Sequence, residues 1–217
     1  VTIVLKQWPR AETLLEELTK TMPDDLELSR KRARVLTELK RHSEAFLIYQ
    51  KLAGADKERA DAYWPERLTL LDAMLVDKKA AEVSKLLDTV MKDPDKLPAD
   101  VRSRLDGCRK RCDEIVAERK ALRAQEIRTL ITEVASKEGE ARDAARKKLV
   151  AAGDETLPHL VRALDDADEK VRRAAVELLR EIAKQDFGYR PEAELKDNAE
   201  AIRKWQEWLK GRLKTEG

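Results

Sequence analysis

The sequence predicts an all-α fold, an α-solenoid of stacked antiparallel helical hairpins. Two internal periods point to it. The series Ala11, Leu15, Leu18, Pro23 returns 34 residues later as Ala45, Tyr49, Leu52, Lys57. The series Arg142, Ala145, Leu149 returns 30 residues later as Arg172, Ala175, Leu179. Periods in this range mark repeated helical hairpins, none of which buries its apolar face alone. Composition agrees. Charged residues make up 41% and aromatics 4%, with seven glycines and seven prolines, too few turn residues to punctuate a β-sandwich or barrel.

Charge and motif content narrow the function. Lys and Arg number 45 against 43 Asp and Glu, so the formal charge of +2 gives no basic field for nucleic acid, and none is expected as a partner. No apolar run approaches a bilayer span, so membrane insertion is not expected. The opening Val1-Thr2-Ile3-Val4-Leu5 shows neither a basic n-region nor a long apolar h-region, so it is not expected to be a signal peptide. A soluble protein is expected, its compartment unknown. Gly-rich phosphate loops, Gly-x-Ser-x-Gly, His-Glu-x-x-His and Cys-x-x-Cys are all missing, and two histidines leave little general-base chemistry. The sequence therefore predicts no catalytic residue, no metal site and no cofactor. Cys108 and Cys112 share the stripe Val101, Leu105, Cys108, Cys112, Ile115, Leu122 and read as small buried hydrophobes.

Taken in order, residues 1–97 hold hairpins. Met22-Pro23-Asp24-Asp25 precedes a helix carrying Leu28, Ala33, Val35, Leu36 and Leu39, with Asp24 or Asp25 as N-cap. A turn at Lys40-Arg41-His42 leads, with Ser43 as cap, to a second helix carrying Phe46, Ala45, Tyr49 and Leu52. Small residues at 33 and 45 let the two helices approach closely. This segment resembles a tetratricopeptide repeat. It departs from that family at Ser29 and Arg32, where bulky apolar residues are usual, so the repeat is degenerate. Arg10–Pro23 resembles only the second helix of such a repeat. Its first helix is expected before residue 1 or in the stub 1–8, as in a fragment of a longer chain. Asp61–Asp93 reads as a third hairpin, with Trp64, Leu68, Leu71 and Leu75 on one stripe and Val83, Leu87 and Val90 on the next. Pro65 is expected in a first helical turn.

The resemblance also implies a site. In the tetratricopeptide register Arg30 and Arg34 point into the concave groove, with Thr37 and Glu38 beyond them. In some members of that family, basic residues at such positions clamp a peptide's C-terminal carboxylate, a task that suits arginine. The plainer alternative is that both arginines are solvated or paired with nearby acids.

After the break at Asp93-Pro94 through Pro98, residues 98–136 read as one long connecting helix or two with a hinge near 119–123. Its basic cluster Arg109, Lys110, Arg111 is flanked by Asp106, Asp113 and Glu114 and reads as a solvated face. In residues 137–217, Asp168, Val171, Arg172, Ala175 and Leu179 resemble the signature of a HEAT repeat, which implies an Asp–Arg ladder between neighbouring repeats. Ala141–Leu164 is a weaker copy, with Pro158 in a first turn. The tail, Phe187-Gly188-Tyr189 and then a helix bearing Trp205 and Trp208, resembles the closing segment of some bacterial HEAT-repeat proteins. It predicts an end cap over the last apolar layer.

Together these readings predict a non-enzymatic scaffold that binds a peptide or a protein surface. The alternatives are a structural subunit of a larger complex or, further off, a HEAT-type enzyme subunit like bilin lyases or DNA-repair glycosylases.

Overall fold

The computed structural model describes residues 7–215. Of the stub 1–8, residues 1–6 lie outside the described residues. The fold is all-α and of the helical-repeat class, with no strand among the described residues. The helices are α1 (Trp8–Thr21), α2 (Leu26–Glu38), α3 (His42–Ala55), α4 (Trp64–Val76), α5 (Ala80–Val90), α6 (Ala99–Ser136), α7 (Gly139–Ala152), α8 (Leu157–Ala163), α9 (Glu169–Ala183) and α10 (Ala199–Thr215). Packing divides the chain into two units, Val1–Glu118 and Arg119–Gly217. The single helix α6 gives its first half to one unit and its second half to the other.

In the first unit, Asp25 is the N-cap of α2, its carboxylate accepting from the Glu27 and Leu28 backbone amides. Asp24 is not the cap. Two hairpin turns are built alike. The chain leaves α2 through Lys40 and α4 through Lys78, both left-handed at φ 58° and 57°. In each, the next amide reaches back five residues, Arg41 N–H to the Leu36 carbonyl and Lys79 N–H to that of Met74, both at 2.9 Å. This closure satisfies helix-end carbonyls and sends the chain back antiparallel. The two turns lie 38 residues apart, not 34, because the 3₁₀ segment Lys57–Tyr63 is inserted between the hairpins.

The core of this unit joins Ala33, Leu36, Ala45, Phe46, Tyr49 and Leu52 to Leu68, Leu71, Met74, Val83 and Leu87. Ala33 and Ala45 are fully buried, as close helix contact requires. Pro65 sits in the first turn of α4. Ser43 does not cap α3. Arg41 is the residue ahead of the helix, and the Ser43 hydroxyl instead donates to the Glu82 carboxylate at the start of α5. Arg67 is buried with its guanidinium 3.8 Å from the Trp64 ring centroid and 5.1 Å from that of Phe46. It has no carboxylate partner among the described residues, and burial brings its pKa down to about 10.

Helix α6 closes this core with Val101, Leu105, Cys108 and Cys112. Both thiols are free, and burial raises their pKa first of all. The predicted stripe fails at Leu122, which is 60% exposed, because the helix passes there from one core to the other. The basic cluster is not merely solvated. Arg109 bonds Asp88 and Ser84, and Arg111 shares Asp72 with Arg104, so the cluster fastens α6 to the hairpin α4–α5.

The second unit buries Ile127, Ile131 and Val134 of α6 against α7, α8 and α9. Ala175 and Leu179 are fully buried. The implied ladder takes another form. Asp168 caps α9 through the Lys170 amide, while Arg172 donates to the carbonyls of Asp166, Ala167 and Pro191. Helices α7 and α9 are joined by the ion pairs Arg142–Glu177 at 3.5 Å and Arg146–Glu181 at 2.7 Å. The tail turn is held by its own polar groups. Gly188 takes φ 76°, a conformation glycine adopts without a Cβ clash. Its amide donates to Asp186, Tyr189 donates to the Leu164 carbonyl, and Asn198 clasps both backbone groups of Arg190. Trp205 is fully buried, edge-on to Phe187 at 4.8 Å and to Trp208 at 5.6 Å.

Candidate functional site

The site is a cleft of about 550 Å³ in the first unit, bounded by α2, α3 and α4 with Trp8 at the start of α1. That size falls in the range of small-ligand and side-chain pockets. Helix α2 contributes Arg34, Thr37 and Glu38, which its 3.6-residue period sets on adjoining turns. Helix α3 contributes Tyr49, and α4 contributes Pro65, Glu66, Thr69 and Leu70. The short loop that the left-handed Lys40 allows brings α3 directly back beside α2. The first-turn proline sets Pro65 and Glu66 at the entry of α4.

The polar groups of the cleft are not equally available. Thr37 and Thr69 each donate their hydroxyl to their own helix, to the carbonyls of Ala33 at 2.9 Å and Pro65 at 2.8 Å. The Tyr49 ring is buried. Burial, and then Glu66, raises the pKa of its hydroxyl, while Arg34 opposes the rise. The charged groups of the cleft are the Arg34 guanidinium, which also faces the Tyr49 hydroxyl, and the carboxylates of Glu38 and Glu66, beside the apolar Leu70, Pro65 and Trp8. Such a cleft can hold an extended segment with an apolar anchor and fix its direction by charge. It offers no nucleophile paired to a base.

Arg34, Thr37 and Glu38 thus share one cleft, and Arg30 does not line it. The Arg30 guanidinium donates to Glu27 at 2.9 Å and to the Tyr63 hydroxyl at 2.8 Å, and lies 5.6 Å from the Tyr63 ring centroid. It ties α2 to the 3₁₀ segment, and its pKa is raised first by the tyrosine bond. Sequence reading missed Tyr49, Pro65, Glu66, Thr69 and Leu70 as cleft residues. The spacing of α4 after the 3₁₀ insertion governs which of its faces meets α2, and that insertion has no helical period to read.

Among the described residues, no group of three or more His, Cys, Asp or Glu side chains is arranged to hold a metal ion. No helix among them is long and apolar enough to cross a membrane. His42 is buried with Nδ1 3.8 Å from Asp77, beyond hydrogen-bond reach. His159 stands at the start of α8, and burial and then Arg128 lower its pKa.

No curated protein and no solved structure matches the chain. Residues 156–185, the segment from the end of the loop before α8 through α9, match the family model of the HEAT repeat.

Proposed function

We propose that the chain is a non-enzymatic protein-interaction module that holds an extended peptide segment in the cleft of α2, α3 and α4. The observation that carries this reading is the cleft itself, an apolar floor with Arg34, Glu38 and Glu66 at its rim and no other group of the described residues filling it. The HEAT match supports it, because such repeats generally serve protein interaction. We read α2–α3 as a degenerate tetratricopeptide-type hairpin. The complete burial of Ala33 and Ala45 at the helix crossing supports that. In this reading Arg34 and Glu38 orient the ligand, Thr37 shapes the wall, and Arg30 acts through Tyr63 to hold α2 in place.

Selection of a random peptide library against the full chain tests it. Bound peptides should lose at least ~10-fold in affinity, or about 1.4 kcal/mol, in both Arg34→Glu and Thr69→Arg. Both positions are exposed, so the fold should survive. Peptides that bind both variants as they bind the parent would reject the cleft.

A second reading, a constitutive subunit of a larger complex, has one observation in its favour. Leu14, Leu18 and Met22 lie four apart along α1 and its C-cap and are 53%, 41% and 44% exposed. A contiguous apolar stripe of this kind is a surface that partners cover. Sedimentation of the purified chain separates the two. A subunit self-associates or aggregates through the stripe, and Leu14→Glu with Leu18→Lys restores a monomer.

A further inference from the structure

Three basic side chains of the second unit converge on one cleft. In α6, Arg128 and Ile131 stand three residues apart and share a helical face. In α8, His159 and Arg162 repeat that spacing. The two faces line a cleft of about 460 Å³, bounded further by Asp165 and Asp166 after α8 and by Val171 in the first turn of α9.

Among the described residues neither Arg128 nor Arg162 forms an ion pair, and the His159 ring makes no hydrogen bond. Both arginines are exposed and His159 is half-buried, so these donors open to solvent. They also act on one another. The His159 pKa is lowered first by burial and then by Arg128, with a smaller part from Arg162, against Glu155. The acids nearby do not neutralise them. Arg123 holds both oxygens of Glu155, at 3.0 and 2.8 Å. The Asp166 carboxylate accepts the Asp168 amide at 2.9 Å. Asp165 and Asp166 follow Arg162 by three and four residues, the spacing of helical ion pairs, but α8 ends at Ala163 and neither pair forms. Like charges gathered in one cleft repel, and an anion between them relieves that repulsion. Donors from two helices suit a tetrahedral phosphate, with three terminal oxygens, better than a planar carboxylate with two.

We propose that the cleft between α6 and α8 binds a phosphate monoester. The Arg128 and Arg162 guanidiniums and the His159 ring N–H donate to the phosphate oxygens, and the stem of the ligand lies toward Ile131 and Val171. Asp165 and Asp166 repel a second anionic group, which favours a ligand with one phosphate. The site lies in the second unit and does not depend on the function proposed for the cleft of Arg34.

The test is a titration of the full chain followed by the NMR signal of the His159 ring, with phenyl phosphate, glycerol 3-phosphate and benzoate as probes. The chain has two histidines, so His159→Gln assigns the signal. Both phosphate esters should move it saturably, with a dissociation constant on the order of 1 mM, as befits a fragment-sized ligand. The tighter ester identifies the stem as aromatic or polar. Benzoate should bind at least ~5-fold more weakly, because it offers fewer oxygens to the three donors. Saturation with phosphate ester should raise the pKa of the ring by roughly 0.5 or more, since the bound anion offsets Arg128 and Arg162. Arg128→Gln and Arg162→Gln, both exposed changes, should each weaken binding at least ~5-fold with helicity by circular dichroism intact. Asp165→Asn should tighten it by ~2-fold or more, because a repelling charge is gone. Lys31→Gln, an equal loss of charge on an exposed position of the first unit, should leave it unchanged. The proposal is overturned if neither ester moves the His159 signal at up to ~20 mM, well above the expected constant. It is equally overturned if the two arginine variants bind like the parent, if Asp165→Asn weakens binding, or if benzoate binds as tightly as the tighter ester.

Discussion

Truncation of Trp205 is the sharpest perturbation of the second unit. The ring is fully buried, and it makes edge-to-face contacts with both Phe187 and Trp208. Removing a buried tryptophan to alanine costs about 3–5 kcal/mol in lost transfer energy and cavity. Each aromatic pair adds about 0.5–1.5 kcal/mol beyond area burial. One effect opposes these. The indole Nε1 is buried with no acceptor among the described residues, so the parent already carries a penalty of about 1–3 kcal/mol. Trp205→Ala should therefore cost about 3–4 kcal/mol. Trp205→Phe, which keeps most of the ring and discards the unpaired donor, should stay within about 1.5 kcal/mol. In a unit of about a hundred residues, 1 kcal/mol moves the midpoint by about 4–8 °C. Thermal melts followed by circular dichroism should thus show the alanine variant lower by at least ~12 °C. A shift under ~4 °C, with tryptophan fluorescence in the parent readily quenched by iodide, would refute the cap and point to an aromatic ligand site.

Other expectations are open to direct measurement. Arg67→Met should be neutral or stabilising in chemical denaturation, because it removes an unpaired buried charge and keeps the stem volume that packs on Trp64 and Phe46; Arg67→Ala should destabilise by about 2 kcal/mol or more through lost packing. Lys40→Gly and Lys78→Gly should each stabilise the first unit by about 0.5–1 kcal/mol, since glycine takes the left-handed conformation without the Cβ clash that both lysines bear. The His159 pKa lies below the ordinary imidazole value of 6.5 in the folded state, through burial and Arg128 with Arg162, against Glu155. The unfolded chain therefore takes up the proton first as pH falls, so stability that is full above 6.5 declines below it. Thermal melts across that range should show the decline shrink in His159→Gln.

What was legible in the sequence is what rests on helical period. Leu36, Tyr49, Leu71, Val83, Leu149, Ala175 and Leu179 repeat at helical spacing, and all are buried. Prolines 65 and 158 stand in first turns, because only there is the missing N–H harmless. What rests on long-range pairing was not legible. Glu12 reads as an ordinary surface acid, yet it is buried between Arg32 of the next helix and Arg41 at the start of the one after. Ser43 has the residue type of a cap but is spent on Glu82. Arg172 belongs to a repeat signature whose acidic partner is replaced here by backbone carbonyls, a choice fixed by how the tail turn folds back. The candidate site shows the same division. Arg34, Thr37 and Glu38 lie together because one helix carries them, whereas Glu66, Thr69 and Leu70 join them only through the packing of α4.

Hydrogen exchange of the full chain, with and without a peptide selected to bind it, tests the interaction role most directly. Binding in the cleft of α2, α3 and α4 predicts slowed amide exchange in the segments 33–39 and 64–72, with α7 to α10 unchanged. Protection confined to the second unit, or absent from both α2 and α4, would contradict it.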